Sequence, residues 1–341
     1  MKKSVTLKDV AREAGVSSST VSRALNKNTK NMINADLVLE IEAVASRMQY
    51  STNLIARSLQ NGKTYTVGII VRDIINPIFG ELADEIIECL SKSDYKAIII
   101  FAKSNSCEYI ESMAAKQVDG LIFTNAYIND LGVEYCIENN IPCVTVGRTT
   151  QHNLISQICV DNDSGMQLII KHLVDLGHRD IAFIAGPESI SNGHERKEKF
   201  AYWMQHYNAN FNDQAIIQAS SFNRTCGYSS IQKLFYDGAS FTAVVAANDL
   251  LAVGVLDYLT QYDIRCPQDL SVVGFNAMLF SDVLSTPLTS VFVDRKIIAQ
   301  KAVSFLLENL NDKDQVSQEY LAAATLIVRK STSSPRIFKI K

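Results

Sequence analysis

Ser18, Ser19, Ser22, Arg23 and Asn26 are the residues whose types and spacing first suggest chemistry. At helical spacing they share one face, while Val21, Ala24 and Leu25 fall opposite. Short polar side chains are poor helix formers, yet they suit hydrogen bonds to base edges and phosphates. Arg23 is the one side chain in the group able to fork two hydrogen bonds onto a guanine. The two adjacent serines are permissive readers and imply modest selectivity where they touch. This is the chemistry of reading a duplex, not of turning over a substrate. The plainer alternative is a small helical bundle with no ligand.

Two short helices are needed to present that face. Thr6 suits the cap of the first, with Asp9 three residues on as an acidic form of the capping box. Leu7, Val10, Ala11 and Ala14 then share a side. Gly15 stands where the chain must turn, and positive φ costs glycine least. Ser17 suits the cap of the second helix. The order small residue, glycine, aliphatic at Ala11, Gly15 and Val21 is the helix-turn-helix spacing, in which the second helix is free to enter a major groove. A third helix over 34–48 has Leu37, Ile41, Val44, Ala45 and Met48 on one stripe and reads as core. Asn53 can cap a helix of about two turns that ends at Asn61-Gly62, too short to be stable alone. It is a candidate hinge that folds on binding.

Charge supports a polyanionic partner for this head alone. Residues 1–63 hold ten Lys/Arg against five Asp/Glu, a net +5, and the remainder holds 23 against 31, a net −8. A basic head on an acidic body points to nucleic acid at one end. The seven cysteines are odd in number with no Cys-x-x-Cys pair, which fits reduced thiols in cytosol. No apolar run reaches membrane-spanning length. The basic N-terminus lacks the apolar stretch of a secretory signal, so a cytoplasmic location is expected.

No catalytic set stands out. Gly-x-Gly-x-x-Gly, Gly-x-x-x-x-Gly-Lys and Gly-x-Ser-x-Gly are all missing. The five histidines lack metal-ligand spacing, and His172 and His178 read as helix-end or surface residues. The expectation is no enzyme, no metal and no cofactor. From Thr64 onward strand-like runs at 66–71, 97–101, 120–123, 143–146, 181–184, 243–246 and 271–274 alternate with helical stretches at 79–90, 165–176, 195–207, 227–237, 250–261 and 296–309. Short unalternating runs separated by helices indicate parallel sheets covered on both faces, with functional loops at the carboxyl ends of the strands.

The run Val5-Thr6-Leu7-Lys8-Asp9-Val10-Ala11-Arg12-Glu13-Ala14-Gly15-Val16-Ser17, then Thr20-Val21-Ser22-Arg23-Ala24-Leu25-Asn26 and Ala56-Arg57-Ser58-Leu59, resembles the LacI/GalR (lactose-repressor) family. Further marks are Asn76-Pro77 with Phe79, Val118-Asp119-Gly120, Gly147-Arg148, Val160-Asp161-Asn162, Leu176-Gly177-His178-Arg179-Asp180, Ala247-Asn248-Asp249 and Gly274-Phe275, so the resemblance spans about residues 4–332. It implies a ligand-controlled regulator, expected to be a repressor, bound as a homodimer to a palindromic operator. DNA contacts would come from Thr6, Ser17, Ser18, Ser19, Thr20, Ser22, Arg23 and Asn26, and from Asn53, Ala56, Arg57 and Leu59 in the hinge. Leu59 matches a leucine that wedges into the minor groove. The implied fold is an all-α helix-turn-helix domain over 1–50, a hinge and linker over 51–63, and an α/β periplasmic-binding-protein-like effector domain over 64–332, followed by a tail over 333–341. That effector domain would have two doubly wound parallel-sheet lobes, one of about 64–160 and 292–320, the other of about 161–290 and 321–332.

The same resemblance implies an effector cleft lined by Phe79, Arg148, Asn192, Arg196, Phe222, Asn248 and Asn276. The effector would be a sugar, sugar phosphate or nucleoside-like molecule. Each residue also has an ordinary alternative: Phe79 suits a core, Arg196 could pair with Glu195 or Glu198 at the surface, and Asn276 could cap a turn. Several positions depart from the family pattern. Thr52 replaces a proline before the hinge, and Leu37-Val38 replaces a Thr-Arg pair that opens the third helix. Both imply weaker DNA binding. Asn276 replaces an aspartate. An amide donates where a carboxylate only accepts, which, with two arginines nearby, points to an acidic or phosphorylated effector. A binding protein for transport would share the clamp but needs export.

Overall fold

The computed structural model describes residues 5–25, 29–50, 62–110, 117–311 and 316–335. Two compact units divide the chain, Met1–Thr64 and Tyr65–Lys341. Asn26, Asn53, Ala56, Arg57 and Leu59, together with the hinge helix and Thr52, lie outside the described residues.

In the first unit α1 (Leu7–Glu13), α2 (Ser18–Ala24) and α3 (Ala35–Arg47) enclose a small core of Val10, Ala11, Val21, Ala24, Val38, Ile41, Val44 and Ala45. Local chemistry sets each end. The Asp9 carboxylate accepts from the Thr6 N–H at 3.0 Å and the Thr6 hydroxyl at 2.6 Å. Ser17 accepts from the Thr20 N–H at 3.1 Å, and Asn34 from that of Asp36 at 2.8 Å. Gly15 turns the chain at φ +66°, a conformation that costs any residue with a Cβ. Val38 is buried, so the Leu37-Val38 pair puts apolar bulk into the core side of α3.

The second unit is built on two six-stranded sheets. Its elements are β1 (Thr66–Val71), α4 (Pro77–Ser91), β2 (Lys96–Phe101), β3 (Gly120–Phe123), α5 (Leu131–Glu138), β4 (Cys143–Val146), β5 (Ser156–Val160), α6 (Asn162–Asp175), β6 (Ile181–Ala185), α7 (Ser191–His206), β7 (Ile216–Gln218), α8 (Arg224–Tyr236), β8 (Ala243–Ala246), α9 (Asp249–Gln261), β9 (Ser271–Asn276), β10 (Thr289–Val293), α10 (Arg295–Asn311), β11 (Glu319–Ala322) and β12 (Ala324–Ile327). One sheet runs β11-β5-β4-β3-β1-β2 and the other β12-β10-β9-β8-β6-β7. Among the described residues every pairing is parallel except that of β12 with β10. The chain therefore passes between the sheets three times: after Val160, after Val293, and at Ala323 between β11 and β12.

Alternation along β1 shows how a sheet is covered on both faces. Val67, Ile69 and Val71 join one apolar cluster with Leu82, Ile86 and Leu306 from α4 and α10. Ile70 joins a second with Leu121, Val133 and Cys136 on the α5 side. Burying both faces is what makes parallel strands read as unbroken apolar runs.

His178 is not a surface residue: it is 1% exposed. Its Nδ1 lies 2.8 Å from the Thr242 hydroxyl and its Nε2 lies 2.8 Å from the Ser333 carbonyl. Nε2–H donates to that carbonyl, so Nδ1 accepts from Thr242. Sequence spacing gave no hint of this, because the partner at Ser333 is 155 residues away. Burial lowers the pKa of both His178 and His172 from the usual 6.5. The unfolded chain then takes up protons first as pH falls, so the stability these rings contribute is complete above about 6.5 and is lost on acidification. Thermal melts from about pH 8 down to about pH 5 should fall for the native chain and less steeply for His178→Gln. Identical pH dependence in the two would remove the ring from this role.

Candidate functional site

In the first unit, the face of α2 away from Val21 and Ala24 is open. Ser17, Ser19, Ser22 and Arg23 are exposed, while Ser18 and Thr20 are half-buried. Ser17 also shares its hydroxyl with those of Ser19 and Thr20, at 2.7 and 2.9 Å. The N-terminal turn of the helix is thus pre-ordered around one cap. Thr6 is exposed at the start of α1. An exposed ion pair between Arg47 and Glu13, 2.9 Å, joins the end of α3 to the end of α1.

In the second unit, a pocket between the two sheets encloses about 660 Å³, open mouth included. All seven residues expected in a cleft line it: Phe79, Arg148, Asn192, Arg196, Phe222, Asn248 and Asn276. They arrive from one topological position, the carboxyl ends of parallel strands and the first turns of the helices that follow. Asn76 caps α4 just before Phe79, Arg148 follows β4, Asn192 and Arg196 lie on α7 after β6, and Asn248 caps α9 after β8. Phe222 reaches its place because residue 186 is glycine, where a Cβ would lie 2.1 Å from the ring.

Arg196 is the best-defined group. It is 2% exposed, not paired at the surface. Its guanidinium lies 3.6 Å from the centre of the Phe275 ring. Nε donates to Asn162 Oδ1 at 2.8 Å and Nη1 to the Ala247 carbonyl at 2.5 Å, while Nη2 has no partner. Burial pushes this guanidinium down to about 9 and that of Arg148 down to about 10, against a usual 12.5. Both remain cations at neutral pH. A buried donor without an acceptor costs about 1–3 kcal/mol, more when charged, and a ligand that accepts there recovers it.

Residues not foreseen from sequence hold Arg196 in place. Asn162 donates to Glu195 Oε2 at 2.6 Å, and Thr149 donates to Glu195 Oε1 at 2.9 Å. This makes a chain of contacts from the loop after β4, in one sheet's lobe, to the guanidinium in the other. Asn192 donates to the Gly147 carbonyl at 3.0 Å and the Thr149 N–H donates to Ser191 Oγ at 3.0 Å, both across the same boundary. On the other side Arg295 donates to the Asn276 carbonyl at 3.2 Å and pairs with Glu81 at 2.7 Å. Arg295 opens the helix after β10. Had 289–293 been recognised as a strand, the strand-end rule would have flagged it.

Asp249 braces the floor. It is fully buried and accepts from the Met278 N–H and from Ser281 and Ser290 hydroxyls at 2.7, 2.7 and 2.5 Å. Burial pushes its carboxyl up to about 6, and those donors oppose the rise. The bonds fix the loop after β9 and so place Asn276, which sits at φ +105°. Among the described residues no His/Cys/Asp/Glu group suits a metal ion, and no helix is long and apolar enough to cross a membrane.

Residues 6–53 match the model of bacterial regulatory proteins of the lacI family, and residues 170–332 match a periplasmic binding protein-like domain. The HTH-type transcriptional repressor PurR of Haemophilus influenzae (strain ATCC 51907 / DSM 11121 / KW20 / Rd) is 28% identical over 338 residues, covering 96% of this chain and 99% of that protein. Catabolite control protein A of Priestia megaterium is 29% identical, covering 90% and 93%. Among solved structures, the Lac repressor dimer bound to operator and the anti-inducer ONPF superposes with a TM-score of 0.82 at 24% identity, over 97% of this chain and all of that one. The chain therefore joins, in one polypeptide, a lacI-family helix-turn-helix domain over residues 6–53 to a periplasmic binding protein-like domain matched over residues 170–332.

Proposed function

We propose that this regulator is a cytoplasmic repressor that reads a palindromic operator with Ser18, Ser19, Ser22 and Arg23, and that an effector in the clamp sets its operator affinity. The effector lies between Phe79 and Phe222, held by Arg148, Asn192, Arg196, Asn248 and Asn276. Aromatic faces cover its apolar side while guanidinium and amide groups fork hydrogen bonds to it. What supports the reading is the gathering of these seven residues at the strand ends of two sheets whose loops already touch. The clamp favours one lobe geometry when occupied. That differential affinity is what moves the equilibrium between DNA-binding states. One head contacts too few bases for selectivity, so two-fold pairing supplies two half-sites. In this scheme Asn53, Ala56, Arg57 and Leu59 form the hinge contribution.

The test is selection of random duplexes on the purified full-length chain, repeated with pooled small metabolites. The expected product is a pseudo-palindromic consensus whose retention changes with a component of the pool. Salt-sensitive binding with no consensus, under every condition, would sink the proposal.

A further inference from the structure

The hydrogen-bonding polarity of the pocket assigns a ligand class, an inference that rests on the effector-cleft reading above. Among the described residues, the lining side chains include three arginines, Arg148, Arg196 and Arg295, and no Asp, Glu or Lys. Arg295 is matched by Glu81. Arg148 donates to the Asn125 carbonyl at 3.2 Å, and Arg196 has the donor Nη2 left over. Neither forms an ion pair among the described residues.

The amides point the same way. Asn76 Oδ1 already accepts from the Ile78 N–H at 3.3 Å, Asn248 Oδ1 from the Leu251 N–H at 2.9 Å, and Asn192 Oδ1 from Asn162 at 3.2 Å. For Asn76 and Asn248, helix capping occupies one lone pair of the amide oxygen and leaves both NH₂ donors. Two carboxylates behind the wall are also engaged, while Glu81 keeps Oε1 without a hydrogen-bond partner behind Arg295. Glu195 is bonded to Thr149 and Asn162, and Asp249 takes three donors. A neutral sugar presents hydroxyls that must donate as well as accept, and this wall offers few places to donate. An oxyanion accepts only.

We propose that the pocket takes a small organic acid whose carboxylate or phosphate lies between Arg148 and Arg196, with its carbon skeleton against Phe79 and Phe222. The two guanidiniums supply forked, charge-assisted bonds that suit both anions.

Isothermal titration of the full-length chain with succinate, citrate, ribose 5-phosphate and glycerol 3-phosphate, each beside an uncharged counterpart such as ribose or glycerol, tests this. At least one acid should bind about tenfold or more tighter than its counterpart, and more weakly as salt is raised. Asn276→Asp, which adds a carboxylate without changing size, should weaken that acid by a similar factor. Failure of every acid, or equal binding of the uncharged partner, overturns the assignment. If uncharged sugars bind and Arg196→Gln abolishes their binding, the effector-cleft reading stands and the acid class falls. If an acid binds Arg196→Gln and Arg148→Gln as well as the native chain, it binds elsewhere, and both fall.

Discussion

Arg196→Ala is expected to flatten the dependence of operator affinity on effector. A hydrogen bond from a charged donor contributes about 1.5–3 kcal/mol, so losing one places effector affinity roughly 10- to 150-fold lower. Coupling should suffer further, because Arg196 is the end of the contact chain Thr149–Glu195–Asn162 that crosses between the lobes. Without the guanidinium, Asn162 is no longer held from both sides. The substitution also leaves the Ala247 carbonyl without the donor that now satisfies it. A cost of about 1–3 kcal/mol in folding stability follows, offset in part because a buried cation no longer has to be desolvated. Fluorescence anisotropy of a labelled operator, titrated with effector, separates these effects from unfolding, which circular dichroism reports. Glu195→Gln is the companion variant. It keeps the side chain's size and an acceptor for Thr149 or Asn162, and it should shift the effector midpoint less than Arg196→Ala does. A native midpoint in both variants would show that the cleft does not govern the head.

How much of this could be seen in the residues alone varied with burial. Every core strand that reads as an unbroken apolar run was legible, as at 66–71 and 243–246, because both faces are covered. β5, β7, β10, β11 and β12 were not. β11 and β12 lie at sheet edges with exposed or half-buried positions, which breaks the run. β10 begins Thr289-Ser290, two buried polar residues whose hydroxyls are satisfied by bonds to the Arg329 N–H and to Asp249. Nothing local reveals that satisfaction. The same holds for the site. Arg196 could be placed by resemblance, but Asn162, Glu195 and Arg295 matter through partners up to 214 residues away in sequence, as Arg295 is from Glu81. The two short helices of the head were legible because their caps are local, with Thr6–Asp9 and Ser17–Thr20 each three residues apart.

Arg23→Ala is expected to erase operator discrimination while leaving the head folded. Arg23 is exposed on α2, and alanine is the better helix former, so the helix loses nothing intrinsic. The Thr29 hydroxyl bonds the backbone carbonyl of residue 23 at 3.0 Å, and that contact survives the substitution. A forked arginine–guanine contact discriminates by about 1–3 kcal/mol. Two copies in a palindrome make that about 2–6 kcal/mol, most of a typical specific-over-nonspecific margin of about 4–10 kcal/mol. Measurement must include salt. If Arg23 reads a base, the ratio of operator to random-duplex affinity collapses, while the slope of log affinity against log salt for random duplex stays as it was. If Arg23 instead neutralises a phosphate, both affinities fall together and the slope drops by roughly one charge per head. The serines beside it cannot substitute, since a hydroxyl bonds any base with an accessible donor or acceptor. Retained discrimination in Arg23→Ala would move the reading task to Ser18, Ser19 or Ser22 and leave the head with only modest selectivity.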